Sequence, residues 1–406
     1  MLKLAAAFST LAAFAPFVAS QSAVWGQCGG IGWSGASTCA SGSVCTYSNA
    51  YYSRRCTLTV GTGSGGGGTA PSSTVSSPSP TGSGGLPVGT STSKLNTVAK
   101  AAGKTYFGTA TDNSELTDAA YTAILDDNTE FGQISPANSW KWDATEPSQG
   151  DFTFTQGDAI LSLAKGNGQL LRGHNCVWYN QLPSWVNSLS GSALSSAMVN
   201  HCTTLLTHYK GDTYSFDIVN EPFNDDGTWR TDVFYNSLGT SYVNTVLTAA
   251  RTADPSTKLY INEYNLEYPS GKSDSMLSLV QSLQAADVPL DGIGFQGHLI
   301  VGQVPTTFQS QMEEFTALGL EVAITELDIR MTLPATAALY EQQKTDYQNV
   351  VAACNAIEKC VGITIWDFTD KYSWVPSTFP GSGAALPWDS NLVKKPAFDG
   401  IVAGFA

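Results

Sequence analysis

The sequence predicts an α/β protein whose main body is a closed (β/α)8 barrel, carried behind a small disulfide-rich β module and a structureless tether. Three observations lead there. Through residues 94–406, eight short apolar runs alternate with longer amphipathic stretches, the pattern of βαβ units in a parallel sheet. Residues 58–93 are dominated by Gly, Ser, Thr and Pro, a composition that cannot bury a core. Residues 21–57 crowd four cysteines among Gly, Ser and aromatic side chains. A chain of 406 residues also exceeds the size at which a single core stops growing.

The elements follow in chain order. Lys3 precedes an apolar run from Leu4 to Val18, with small residues at Ala19 and Ser20. That length suits a secretory signal and falls short of a membrane span, so residues 1–20 are expected to be removed. The product is expected outside the cell, where its 8 cysteines can pair. In the module, residues 21–57, Cys28, Cys39, Cys45 and Cys56 must supply the stability that so short a segment cannot draw from burial. Three connectivities are open to four cysteines, and spacing alone does not choose. The tether, residues 58–93, includes Gly65-Gly66-Gly67-Gly68 and Ser76-Ser77-Pro78-Ser79-Pro80, as in a flexible, O-glycosylated stalk.

Within residues 94–406, strands are expected near Tyr106–Thr109, Gln133–Ser135, Gln169–Gly173, Phe216–Val219, Lys258–Ile261, Gly292–Phe295, Glu321–Ile324 and Gly362–Ile365. A barrel of eight such units places its active site at the C-terminal strand ends. Polar and aromatic residues stand there: Asn138, Lys141, His174, Asn220, Glu221, Glu263, Gln296, His298, Glu326 and Trp366.

Charge narrows the chemistry. Against 34 acidic side chains there are 20 basic ones, a net charge of -14, which lacks the basic footprint nucleic acid requires. A neutral substrate fits better. Glu221 and Glu326 each end an apolar run and lie 105 residues apart, the span of three βα units. Two such carboxyls are what glycoside hydrolysis needs, one protonated to assist the leaving oxygen and one ionised to attack or to activate water. Of only 4 histidines, His201 and His208 fall in a predicted helix, so neither a metal site nor a cofactor is expected.

The motifs Arg172-Gly173-His174, Asp217-Ile218-Val219-Asn220-Glu221-Pro222, Gly294-Phe295-Gln296-Gly297-His298 and Ile324-Thr325-Glu326-Leu327-Asp328, with Trp366 and Trp374, resemble glycoside hydrolase family 10, the retaining endo-β-1,4-xylanases. The resemblance covers nearly all of residues 94–406. It implies a xylan substrate, Glu326 as nucleophile and Glu221 as acid and then base. It further implies that Asn220 reaches the sugar 2-hydroxyl, and that His298, oriented by Asp328, bonds the nucleophile. His174 and Lys141 are expected on the sugar at the non-reducing side, with Asn138 beside them. Gln181 and Gln296 are expected to support the carboxylates, and Trp178, Trp366 and Trp374 to wall the cleft.

Two departures stand out. The family usually carries Glu before the Asn of its second-strand motif, whereas Pro136-Ala137-Asn138-Ser139-Trp140-Lys141 has Ala137. Weaker binding of the second sugar on the non-reducing side is expected, with Trp140 adding stacking in compensation. Tyr179, in Trp178-Tyr179-Asn180-Gln181, stands where the family usually has His. Cys176 either pairs with Cys202 or stays reduced and buried; Cys354 and Cys360 are expected to form a disulfide.

The run Trp25-Gly26-Gln27-Cys28-Gly29-Gly30-Ile31-Gly32-Trp33 and the later Tyr51-Tyr52 resemble a fungal family 1 carbohydrate-binding module. That implies bonds Cys28–Cys45 and Cys39–Cys56, and a strip of Trp25, Tyr51 and Tyr52 that stacks on cellulose, stiff faces that bury area at little entropic cost. The extra residue in Ser53-Arg54-Arg55-Cys56 is expected to displace the neighbouring loop. A monomer with xylan and cellulose as partners, and no nucleic acid or membrane, is expected. The alternative is a β-1,4-glucanase on the same barrel; a carbohydrate-binding protein with a dead barrel is argued against by the presence of both glutamates.

Overall fold

The computed structural model describes residues 38, 39, 41, 43–46, 55–58 and 86–406, and the chain forms two compact units, Met1–Ser83 and Gly84–Ala406. In the first, strands β1 (Ser43–Thr46) and β2 (Arg55–Leu58) pair antiparallel with Cys45 opposite Cys56. Cys39 is disulfide-bonded. The N-terminal apolar segment, Cys28 and the strip Trp25, Tyr51 and Tyr52 lie outside the described residues, and the described backbone of Cys39, Cys45 and Cys56 does not test the implied pairings of Cys28 with Cys45 and Cys39 with Cys56.

In the second unit, each expected apolar run is a strand: β3 (Tyr106–Thr111), β4 (Gln133–Pro136), β5 (Leu170–Val177), β6 (Ser215–Asn220), β7 (Lys258–Glu263), β8 (Gly292–Phe295), β10 (Glu321–Thr332) and β11 (Cys360–Ile365). Neighbours pair in parallel, and β11 pairs with both β10 and β3, so the sheet closes on itself. Two short strands, β9 (His298–Ile300) and β12 (Ser382–Gly383), extend β10 beyond the barrel rim. That added pairing makes β10 much longer than its apolar run.

The strands read as apolar because one face packs under the helices. Phe107, Leu171, Phe216, Leu259, Ile293, Val322 and Ile363 are buried there, each worth about 1.5–3 kcal/mol on transfer from water. The other face looks into the barrel, where contacts skip strands. The Thr364 hydroxyl donates to Gln133 Oε1 at 2.5 Å, and the Arg172 guanidinium lies 4.4 Å from the Tyr260 ring while ion-pairing with buried Asp217. On the helix-covered face Gly173 has no room for a side chain, since a Cβ there would stand 2.3 Å from the Phe216 ring.

Local chemistry fixes the helices. Ser270 and Ser273 form a reciprocal cap on the helix Gly271–Ala285, and Gly168, at φ 69°, ends the helix Thr155–Asn167 in the left-handed conformation. Cys176 is bonded to Cys202, tying the end of β5 to the helix Gly191–His208, and Cys354 is bonded to Cys360.

The second unit takes in the last part of the Ser/Thr-rich stretch that composition assigns to the tether. The Gly89 amide donates to the Lys394 carbonyl at 2.7 Å, and the Thr90 and Ser91 amides donate to Asp399. Asp399 lies in the first turn of the helix Pro396–Gly404; long-range partners of this kind leave no mark on local composition. Among the described residues no helix is long and apolar enough to cross a membrane.

Candidate active site

The barrel brings the expected residues together at the C-terminal ends of its strands. Glu326 lies within β10, its amide held by the Gln296 carbonyl at 2.9 Å. Glu221 follows β6 directly, with φ 54° and its amide donating to the Asn262 carbonyl at 2.9 Å. For a non-glycine residue that left-handed geometry costs on the order of 1 kcal/mol, and it turns the chain sharply as it leaves the strand.

Around Glu326 the bonds are dense. Asn262 Nδ2 donates to its Oε1 at 2.7 Å, His298 Nε2 lies 3.2 Å from its Oε2, and His174 Nδ1 is 4.0 Å from Oε1. Burial pushes the carboxyl up, but the two imidazoles and the Asn262 amide outweigh it and hold the group at about 2. His298 Nδ1 is 2.8 Å from Asp328 Oδ2, which also accepts the Trp374 indole N–H at 2.7 Å. With a carboxylate at each ring nitrogen, His298 overcomes the cost of burial and rises to about 10. The ring is therefore a cation at neutral pH, with both nitrogens donating.

Glu221 is held more sparsely. Gln296 Nε2 donates to its Oε1 at 3.0 Å, and Arg230 stands 4.0 Å from its Oε2. Arg230 is itself fixed by the Glu221 carbonyl at 2.9 Å, the Phe223 carbonyl at 2.9 Å and the Tyr264 hydroxyl at 3.1 Å. Asn220 links the two carboxylates, since its Oδ1 accepts from Asn262 at 2.9 Å and Gln296 at 3.4 Å. The Asn220 Nδ2 is taken up by none of these bonds.

A second cluster lines the cleft beyond Glu326. Lys141 Nζ donates to Gln181 Oε1 at 2.7 Å and Asn138 Oδ1 at 3.2 Å, and it lies 4.7 Å from the Trp178 ring. Burial lowers its pKa against the pull of Glu326 and Glu221. Gln181 thus serves Lys141 and Asn138 rather than the carboxylates it was expected to support, because it follows β5 by several residues and turns toward β4. His174 Nδ1 is 3.0 Å from Asp217, and its ring packs edge-on to Trp366 at 5.0 Å. Trp374 packs in the same manner on His298 at 4.8 Å.

Two expectations are corrected. Trp140 does not face the cleft: it is fully buried and stacks on Tyr209 at 3.8 Å, under the helices. The chain turns after Asn138, and the indole is large and apolar enough to be drawn into the core. Glu263 is buried away from the cleft, accepting from Lys272 at 3.0 Å and from the Phe223 amide at 3.1 Å. Burial raises its carboxyl to about 7, the opposing pull of Lys272 notwithstanding.

Sequence reasoning missed Asn262, Arg230 and Asp112. In Tyr260-Ile261-Asn262-Glu263 the alternation of a strand was available: Ile261 packs outward, so Asn262 points in and Glu263 does not. Arg230 lies in a loop, where no periodicity marks it. Asp112 follows β3 and accepts the Asn138 amide at 2.6 Å, so a carboxylate does stand beside Asn138 although Ala137 supplies none.

Comparison with known proteins agrees with this geometry. Residues 94–404 match the model of glycosyl hydrolase family 10, and residues 24–52 that of the fungal cellulose binding domain. The chain is 64% identical over 406 residues to endo-1,4-beta-xylanase A of Phanerodontia chrysosporium, covering 100% of both chains. It is 58% identical to an Agaricus bisporus endo-1,4-beta-xylanase, over 77% of this chain and 95% of that one. The crystal structure of a glycosylated family 10 endo-beta-1,4-xylanase from Gloeophyllum trabeum superposes with a TM-score of 0.73 at 44% identity, covering 77% of this chain and 99% of that one. A family 10 xylanase from Bispora, solved with xylobiose, gives 0.75 at 39%, with the same coverage. On the strength of the family model and these relatives, the chain belongs to glycosyl hydrolase family 10.

Proposed function

We infer that this enzyme is a secreted endo-1,4-β-xylanase that opens internal xylosidic bonds by double displacement, with its N-terminal module anchoring it to cellulose in the plant cell wall. The observation that carries the assignment of roles is the unequal bonding of the two carboxylates. Glu326, gripped by Asn262 and the His298 cation and held ionised at about 2, suits the nucleophile. Glu221, bonded by Gln296 and neighboured by Arg230, suits the group that must give up a proton and take one back.

In the first step Glu221 protonates the glycosidic oxygen as the C1–O bond breaks and a Glu326 oxygen bonds C1. The ester so formed carries no charge on Glu326, and His298 turns to Asp328 alone. In the second step water attacks C1, its proton passes to Glu221 and the ester opens. In this reading Asn220 Nδ2, unused by the bonds to Asn262 and Gln296, donates to the sugar 2-hydroxyl, a contact that strengthens as charge develops. Asn138, Lys141 and His174 hold the sugars on the non-reducing side, and Trp178, Trp366 and Trp374 give their pyranose faces apolar walls.

Xylan rather than β-1,4-glucan is favoured by the relatives, whose names specify xylan. The test is reducing-sugar release from xylan and from carboxymethylcellulose by the wild type and by Glu326→Ala. Strong xylan activity lost in the variant is expected; activity mainly on the cellulose derivative would replace this reading with a glucanase. A 2-deoxy-2-fluoro-xylobioside should leave a stable glycosyl ester on the peptide carrying Glu326, and its absence would argue against double displacement.

A further inference from the structure

Tyr179 follows Trp178 after β5 and keeps 37% of its surface exposed. One face of its ring is covered by the Arg230 guanidinium, 4.1 Å from the ring centre, and its edge packs against Trp178 at 5.7 Å. Arg230 in turn is pinned by three hydrogen bonds and stands 4.0 Å from Glu221. The ring is therefore held in place while part of it stays open to solvent. Contacts link Tyr179 on one side to Trp178, which lies over Lys141, and on the other to Arg230, which stands beside Glu221. Tyr179 thus sits between the Lys141 cluster and the carboxyl read as the acid.

The geometry points to Tyr179, braced by Arg230, as the stacking platform for the leaving-group sugar, a specificity-determining residue that makes the enzyme favour a pyranose over a small leaving group. This rests on the reading of Glu221 as the acid. An aromatic face that is already immobilised loses little entropy on meeting the apolar face of a xylose ring, and Arg230, spent on backbone carbonyls and Tyr264, needs no rearrangement to support it.

The test compares kcat/KM on xylopentaose, whose scission places sugars on the leaving side, with kcat/KM on β-xylobiosyl fluoride, whose leaving group is one atom. Tyr179→Ala is expected to lose about tenfold more on xylopentaose than on the fluoride, and Tyr179→Phe to recover most of that selective loss. Equal losses on both substrates would overturn the proposal and leave Tyr179 as a brace for Arg230 and Glu221. No loss on xylopentaose would overturn it as well, and so would a Phe variant as selective in its defect as Ala. Glu221→Ala tests the underlying reading separately: it should lose xylopentaose hydrolysis and retain much more activity on the fluoride, which needs little protonation. If it does not, the acid assignment fails; if it does while Tyr179→Ala shows no selectivity, only the platform fails.

Discussion

The two walls of the cleft are built to opposite specifications. On the Glu326 side the polar groups are tied to one another: Asn262 to the carboxylate and to Asn220, His298 to Glu326 and Asp328, Asp328 to Trp374. On the Glu221 side one amide bond at 3.0 Å meets the carboxyl, and its guanidinium neighbour stands back at 4.0 Å. A nucleophile keeps one protonation state until it reacts, so fixed donors lower its reorganisation cost. An acid that must become a base and then an acid again is hampered by partners that lock either state.

The comparison can be broken most directly at the carboxylate itself. Glu326→Ala should reduce xylan hydrolysis by about four to six orders of magnitude without unfolding the barrel; a loss of only tenfold would move the nucleophile elsewhere. Next in size, Asn262→Ala removes a donor from the tightly held wall and should cost about a hundredfold in kcat, whereas Gln296→Ala on the looser wall should cost about tenfold. Steady-state kinetics that reversed this order would show that hydrogen-bond density does not track demand.

Smaller still is Asp112→Asn, away from both walls. Its carboxylate fixes the Asn138 amide at 2.6 Å, so the variant should raise KM for xylotriose a few-fold, by about 1 kcal/mol or less, with kcat little changed. An unchanged KM would mean that Asn138 is oriented by Lys141 and Gln181 alone.

The smallest expected effect is none. Glu326, held at about 2 instead of 4.5, loses its charge only as pH falls through about 2; His298, raised from 6.5 to about 10, loses its charge only as pH rises through about 10. Both are charged throughout pH 4 to 8, and neither sets a limb of the pH–rate profile there. NMR of the His298 ring should show an unchanging imidazolium across that range, and a midpoint near 6.5 would dissolve the tight wall as drawn.

Much of this was legible in the chain. All eight barrel strands coincide with apolar runs, because a strand packed beneath helices must be apolar on that side wherever it occurs. Glu221, Glu326, Asn220, Gln296, His298 and Asp328 were expected at strand ends because a strand end can be counted, and the barrel brings them together there. Contacts between distant segments were less accessible. The Cys176–Cys202 bond stayed open, since a cysteine's neighbour depends on where a helix comes to rest. The bond from Asp399 to Thr90 joins residues 309 apart, and nothing in a Ser/Thr-rich stretch announces it.

By itself, then, the sequence determined the barrel, its strand ends and the two carboxyls that meet there, because periodicity and position along a strand are local properties. Only the tertiary structure decided that Trp140 lies in the core, that Glu263 turns from the cleft, that Asn262 grips Glu326 and that Tyr179 leans on Arg230. Each of those depends on which face of an element meets which neighbour, and burial, charge and hydrogen bonding are settled between segments rather than along one.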